Sequence, residues 1–311
     1  MIKVSVVICT YNPKKEILNR VINSLKNQTF DTNCWELLII DNNSSEQFSE
    51  WINFEGIHNA TIIVEKKAGL TYARMAGFLN AIGELIILVD DDNVLNDDYI
   101  KRSYDFYMNN QQVGCFGGMS VPDFEAKPPS WFWETGISLG CQNWGNVQIV
   151  SNYNENEFQI KEYPYYAPIG TGMVINKKSL EAYINYINKS DSVITDRNGK
   201  SLSSGGDNEI VIFIIRSGWQ IAYLPDLYIT HLIPANRISF EYLCRMNEES
   251  YKSWVKLCLK HSIGDYKIIS SWSVKLRKIK AYFMYRAFSS KLSYIKWKGA
   301  CGLLEGQSIK F

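Results

Sequence analysis

A chain of 311 residues, 46% apolar and with a formal net charge of +1, is long enough to bury a full core and too apolar to be disordered. The near-neutral balance argues against a general nucleic-acid binder, which carries a basic surplus. Its seven cysteines are widely spaced and include no Cys-x-x-Cys pair, which argues against a disulfide framework or a thiolate zinc site and fits thiols in a reducing compartment.

In chain order, residues 4–9 read as a buried strand, apolar and β-branched. No charged n-region and apolar h-region precede it, so no signal peptide is expected. After Pro13, the spacing of Ile17, Leu18, Val21 and Leu25 predicts a helix with one apolar face. Residues 35–40 form a second apolar strand that stops at the turn cluster Asp41-Asn42-Asn43-Ser44-Ser45. Residues 61–65 are a short third strand. Residues 71–81 are a helix with a small face of Ala73, Ala76 and Gly77. Residues 85–89 are a fourth strand, ending at Asp90-Asp91-Asp92.

The pattern loosens from 115 to 166, where aromatics, Gly and Pro dominate. Trp131 and Trp133 read as core aromatics, with stacking on the flat face of a ligand the sharper alternative. Gly170-Thr171-Gly172 reads either as a plain turn or as an opening for a ligand, and a strand follows at 173–175. A helix begins near Asp207 and closes at Arg216-Ser217-Gly218. A strand at 220–224 ends at Pro225. The longest apolar run, 210–215, has six residues, far short of the ~20 a spanning helix needs. A cytoplasmic location is expected, with peripheral attachment to the inner membrane face left open.

Between residues 252 and 298 there are twelve Lys or Arg against one acid, Asp265, so this segment is +11 and the rest of the chain −10. Aromatics are interleaved through it. It reads either as helices on an anionic membrane surface or as helices packed on the main domain with their lysines in solvent.

Uninterrupted apolar strands separated by helices predict a parallel sheet covered on both faces. Ligands then bind beyond the carboxyl ends of the strands. Here those ends are Thr10-Tyr11-Asn12, Asp41-Asn42 and Asp90-Asp91-Asp92, which should converge on one crevice. Three adjacent carboxylates repel unless a cation sits among them. A hard ion, Mn²⁺ or Mg²⁺, taking carboxylate and phosphate oxygens is the natural partner. If the run is extended, Asp90 and Asp92 face one ligand and Asp91 points elsewhere. A solvated acidic loop is the plainer reading.

Val4-Ser5-Val6-Val7-Ile8-Cys9-Thr10-Tyr11-Asn12, Ile39-Ile40-Asp41-Asn42-Asn43-Ser44, Gly69-Leu70-Thr71-Tyr72-Ala73-Arg74-Met75-Ala76-Gly77 and Leu88-Val89-Asp90-Asp91-Asp92 together resemble a family 2 glycosyltransferase of the GT-A fold. The likeness runs to about residue 118. It resumes at Ser204-Gly205-Gly206-Asp207-Asn208-Glu209 and at Gly218-Trp219-Gln220-Ile221. Residues 119–165 and the C-terminal segment lie outside it.

The resemblance implies an α/β domain over 1–236, Rossmann-like, with a mixed, mostly parallel sheet flanked by helices. A basic, aromatic helical region over 237–311 follows. It implies that Thr10, Tyr11 and Asn12 bind the nucleoside and that Asp41 bonds its base, commonly uracil. Arg74 would support the diphosphate. Asp90 would be the first residue of an Asp-x-Asp motif, on the nucleoside and metal side, and Asp92 a metal ligand. Asp91 is counted with the nucleotide-sugar set. Asp207 matches the catalytic base, although Gly206-Asp207 stands where many relatives have Glu-Asp, so Glu209 is held in reserve. His231 matches a further metal or diphosphate ligand, and Arg237 a diphosphate contact.

Residue chemistry supports the same roles. A departing diphosphate needs cationic neutralisation, and Asp207 at a helix start beside two glycines suits a base, although an N-cap is the competing role. The implied reaction is inverting transfer of a sugar from a nucleotide-sugar donor, UDP-linked first, to a glycan or lipid-linked acceptor in cell-surface polysaccharide or glycoconjugate synthesis. Two rivals stand beside it. A sugar nucleotidyltransferase needs a Gly-rich basic loop where this chain has Thr10-Tyr11-Asn12-Pro13. A catalytically weak relative would act as a membrane or partner binding module.

Overall fold

The computed structural model describes residues 1–151, 160–189, 196–197 and 202–309. The first half follows the predicted alternation: β1 (Val4–Thr10), α1 (Lys15–Lys26), β2 (Trp35–Asp41), β3 (Ala60–Val64), α2 (Leu70–Asn80) and β4 (Leu85–Asp90). A short β5 (Asn93–Leu95), α3 (Tyr99–Asn109), the long β6 (Val113–Phe124) and β7 (Ile149–Val150) come next. The chain continues through β8 (Val174–Asn176), α4 (Glu181–Lys189), α5 (Gly206–Arg216) and β9 (Gln220–Ile233). It ends in α6 (Phe240–His261), α7 (Val274–Met284) and α8 (Lys291–Gln307).

Among the described residues the strands form one sheet in the order β3-β2-β1-β4-β8-β6-β9-β5, with β7 on β9. β1 pairs in parallel with β2 and β4, β2 with β3, and β6 with β9; the short strands β5, β7 and β8 join antiparallel. This is the mixed, mostly parallel sheet expected. The apolar strands are buried on both faces. Val7, Leu38, Ile40, Ile86 and Leu88 pack into one core cluster with residues of α2 and α5. Their neighbours Val6, Ile8, Leu37, Ile39, Ile87 and Val89 pack into another with α1 and α3. A Cβ at Gly77 would lie 2.5 Å from Val7 Cγ1, so the small face of α2 is what lets that helix lie close on the sheet.

Two register facts position the site. Thr10 pairs with Asp41 and Cys9 with Asp90, so the carboxyl ends of β1, β2 and β4 stand side by side. The β5–β9 pairing sets Asn93 opposite His231. One expectation is corrected: β9 does not stop at Leu224 but runs to Ile233. Pro225 sits at an irregularity, where Gly118 pairs with Leu224 and Met119 with Tyr228. A proline is tolerated there because the looped-out residue owes the ladder no N–H.

The C-terminal region is helical. Ser239 caps α6 by accepting from Tyr242 N–H at 3.2 Å, and Ser290 caps α8 by accepting from Ser293 N–H at 3.0 Å. A third cluster, with Phe132, Leu243 and Ile295, ties α6 and α8 to residues 130–135. No helix among the described residues is long and apolar enough to cross a membrane.

Candidate active site

A cavity of about 560 Å³ opens beyond the ends of β1 and β4, lined by residues from β1, α2, the 90–92 run, the 169–171 loop, α5, β9 and α6. Its size lies in the range of small-molecule sites. Tyr242, Met246 and Ser250 of α6 belong to its wall, so the region from 237 onward helps to build it.

All three aspartates of the run line the cavity. The expectation that Asp91 points elsewhere is corrected. β4 ends at Asp90, residues 91 and 92 turn, and β5 begins at Asn93, so the alternation of an extended strand does not apply. Asn93 holds the turn, its Oδ1 accepting from Asp90 N–H at 3.1 Å and its Nδ2 donating to Asp92 Oδ1 at 3.1 Å. Thr10 Oγ1 donates to Asp91 Oδ2. Burial, then the charge of Asp92, pushes the Asp91 carboxyl up to about 7, against the Thr10 bond. Burial alone would raise Asp92 too, but the His231 hydrogen bond and the charges of His231 and Arg237 take it down to about 2. His231 Nε2 is 3.3 Å from Asp92 Oδ1, and Arg237 Nη1 is 3.0 Å from Oδ2. Burial opposes protonation of His231, yet Asp92 and Cys141 raise it to about 9.

A second group of lining residues includes Asp207 and Arg74. Asp207 starts α5, and its Oδ2 accepts from Gly170 N–H at 2.8 Å while Oδ1 accepts from Asn208 N–H at 2.9 Å. The carboxylate plane is thus fixed, and each oxygen keeps a free lone pair. A Cβ at Gly170 would lie 2.6 Å from Arg74 Nη2 and 3.4 Å from Asp207 Oδ2. Glycine there allows the loop N–H to reach the carboxylate. The neighbouring Thr171 Oγ1 stands 3.5 Å from Asp90 Oδ2, so the 170–172 turn bridges Asp207 and Asp90.

Arg74 lines the cavity, but its Nη1 is engaged by Asp196 at 2.9 Å, and both side chains are buried. Asp196, which sequence reasoning missed, is pinned to the start of α2. Its N–H donates to Thr71 Oγ1 at 3.2 Å, and the next residue's carbonyl accepts from Leu70 N–H at 3.0 Å. Burial, then Asp207, raises the Asp196 carboxyl to about 6 against the pull of Arg74. A lone aspartate 122 residues from its partner leaves no local signal.

The remaining residues divide. Thr10 and Tyr11 line the cavity. Asn12 and Asp41 are not among its lining residues. Asn12 Oδ1 accepts from Ser45 N–H at 2.8 Å, and Asp41 Oδ1 accepts from Ser44 N–H at 2.9 Å. Asn42 lines the cavity next to them, its side chain bonding the backbone of Glu65, Lys67 and Gly69. Glu209 is fully buried outside the cavity, 2.8 Å from His261 Nε2 and 3.4 Å from Lys260 Nζ, so its geometry gives it no path to an acceptor. Trp131 packs edge-on with Phe240 and is part-buried, whereas Trp133, beside Phe124, is 62% exposed, which corrects its reading as a core aromatic; neither lines the cavity.

Among the described residues no three His, Cys, Asp or Glu side chains close into a metal cage. Two ligands of a six-coordinate ion with bonds of ~2.1 Å lie ~3 Å apart. Asp92 Oδ1 and His231 Nε2, at 3.3 Å, meet that spacing, with Arg237 Nη1 3.3 Å from the same imidazole nitrogen and 3.0 Å from Asp92 Oδ2. The donor set fits a hard divalent ion that takes its other ligands from phosphate and water.

Comparison with known proteins identifies the family and the fold. The family described as Glycosyl transferase family 2 matches residues 5–184. The chain is 31% identical over 147 residues to a glucosyl-dolichyl phosphate glucuronosyltransferase of Haloferax volcanii, covering 46% of each. It is 37% identical over 97 residues to an undecaprenyl-phosphate 4-deoxy-4-formamido-L-arabinose transferase of Proteus mirabilis, covering 29% of each. The chain thus spans less than half the length of these curated relatives. The crystal structure of S. aureus TarS 1-349 superposes with a TM-score of 0.52 at 15% identity, covering 98% of this chain and 90% of that one. That likeness carries the GT-A fold and nothing finer. With the match extending over more than half of its length, the chain belongs to glycosyl transferase family 2.

Proposed function

We propose that the protein transfers a sugar from a nucleotide-sugar donor, UDP-linked, to a hydroxyl of a glycan or lipid-linked acceptor in cell-surface polysaccharide or glycoconjugate synthesis. The observation that carries this reading is one cavity with a cation-ready acidic wall, Asp90 to Asp92 with His231 and Arg237, and the fixed carboxylate of Asp207. The relatives support the substrate classes. Two are named for dolichyl phosphate and undecaprenyl-phosphate substrates, and S. aureus TarS 1-349 has been solved with UDP-GlcNAc.

Asp92 and His231 would hold Mn²⁺ or Mg²⁺, which supplies positive charge to the departing diphosphate. Arg237, already against Asp92, adds a second cation on that side. Thr10, Tyr11 and Asn42 form the nucleoside end, with Asp41 and Asn12 shaping the turn beneath them. Asp207 takes the proton of the acceptor hydroxyl as its oxygen attacks the anomeric carbon and the diphosphate leaves from the opposite face. The other carboxylate beside Asp207, Asp196, is held in its ion pair with Arg74. Among the described residues Asp207 is the free base on this side of the cavity and no second carboxylate is positioned beside it as a nucleophile, which supports inversion.

Asp207→Asn keeps the size and loses the base. Transfer should fall ~10³-fold, within the range of general-base contributions, while donor affinity measured by titration calorimetry with Mn²⁺ stays within a few fold. Near-normal transfer by this variant would remove Asp207 from the role. A panel of UDP-, GDP- and dTDP-sugars, scored for hydrolysis with and without Mn²⁺, identifies the donor.

A further inference from the structure

α7 turns its apolar stripe away from the protein. Trp272, just before the helix, and Leu276, Ile279 and Phe283 recur at spacings of four, three and four, which is one helical face. They are 76%, 64%, 57% and 64% exposed. The opposite face holds the helix to the fold. Ala281 is buried, Tyr282 meets Trp297 edge-on at 5.2 Å, and Trp297 Nε1 donates to the Lys278 carbonyl at 3.0 Å. Lys278 itself pairs with Glu248 and Glu305. The outward stripe is therefore not the inner face of a displaced helix.

Exposed cations border it, Lys275 on one flank and Arg277 and Lys280 on the other, and no acidic residue occurs between Asp265 and Glu305. Met284 and Phe288 extend the exposed apolar surface past the end of the helix.

We propose that this face of α7 docks the protein on an anionic lipid bilayer, with Trp272, Leu276, Ile279 and Phe283 in the acyl boundary and the flanking cations at the headgroups. An apolar stripe edged by Lys and Arg is complementary to such a surface on both counts. A second copy using the same face would set like charges against each other, which selects against self-association. The inference is independent of the sugar-transfer reading.

The test is flotation of the full chain with phosphatidylcholine vesicles containing about a third phosphatidylglycerol, beside pure phosphatidylcholine. Wild type should float with the anionic vesicles, weakly with the neutral ones, and less at high salt. Leu276→Ser/Ile279→Ser/Phe283→Ser should partition roughly a hundredfold less, since each side chain contributes at least several fold. Lys275→Glu/Lys280→Glu should lose at least roughly thirtyfold, at a factor of about five for each cation removed, with two repelling charges added. All five substituted positions are exposed, so the variants should melt like wild type, which separates loss of docking from loss of fold. Equal flotation of the triple variant, or none by wild type, overturns the proposal. So does a wild-type dimer by light scattering that the triple variant converts to monomer.

Discussion

Arg74 is where the chemistry of a single side chain has most to decide. Its guanidinium is raised above its ordinary value: burial opposes this, but Asp196, then Asp207 and Asp90, outweigh it. Removing one partner of a buried pair leaves an uncompensated charge, which costs far more than removing both. Arg74→Met should therefore lower stability by about 3–5 kcal/mol, and Arg74→Met/Asp196→Leu should restore most of that. Urea midpoints at unchanged slope measure both. If Arg74 served the diphosphate alone, the single variant would lose nucleotide affinity at normal stability. The pairing also explains why a cationic side chain can sit near Asp207 without capturing it. Asp196 holds Arg74, and the loop N–H of Gly170 holds Asp207.

At the scale of elements, α8 lies unusually close to α6. A Cβ at Gly302 would stand 2.8 Å from the backbone carbon of Glu248, and one at Gly306 would stand 2.8 Å from the Lys252 carbonyl oxygen. In a free helix, Gly→Ala gains about 1 kcal/mol. Here Gly302→Ala should instead cost about 2–3 kcal/mol, because the helices must separate. Thermal unfolding by circular dichroism reads the sign, and stabilisation would show that the contact is not tight. That contact was not read from the sequence, although Gly299, Gly302 and Gly306 recur at spacings of three and four and so share one helical face. The strands β1, β2 and β4 were legible because a sheet covered on both faces needs uninterrupted apolar runs. The continuation of β9 was not, because Pro225 reads as a stop and only the irregularity opposite Gly118 makes it tolerable. Within the site, Thr10, the three aspartates, Arg74, Asp207 and His231 were found and do meet in one cavity. The direction of Asp91 was misread because a turn replaces the extended strand. Asp196 needed a contact that only the folded chain makes.

For the whole molecule, the proposed cation site at the acidic wall would link nucleotide, cation and proton in one equilibrium. In the metal-free protein His231 is held at about 9, above its ordinary 6.5, by its pair with Asp92. The stability from that pair is complete below about 6.5 and lost as pH rises through about 9. A cation needs the imidazole neutral, so loading displaces the His231 proton and strengthens over the same window. With free UDP at a hundred times its dissociation constant, binding adds about 2.7 kcal/mol of stability, which for a chain of this length is a rise of about 4 °C in Tm. Thermal scans with UDP and a sub-saturating, fixed Mn²⁺ concentration should show a larger rise at pH 8.5 than at pH 6.5, and EDTA should remove most of it. His231→Gln should flatten that pH dependence by removing the competing proton. A rise that survives EDTA unchanged would mean that His231 and Arg237 neutralise Asp92 by themselves, and that the cavity binds its diphosphate without an ion.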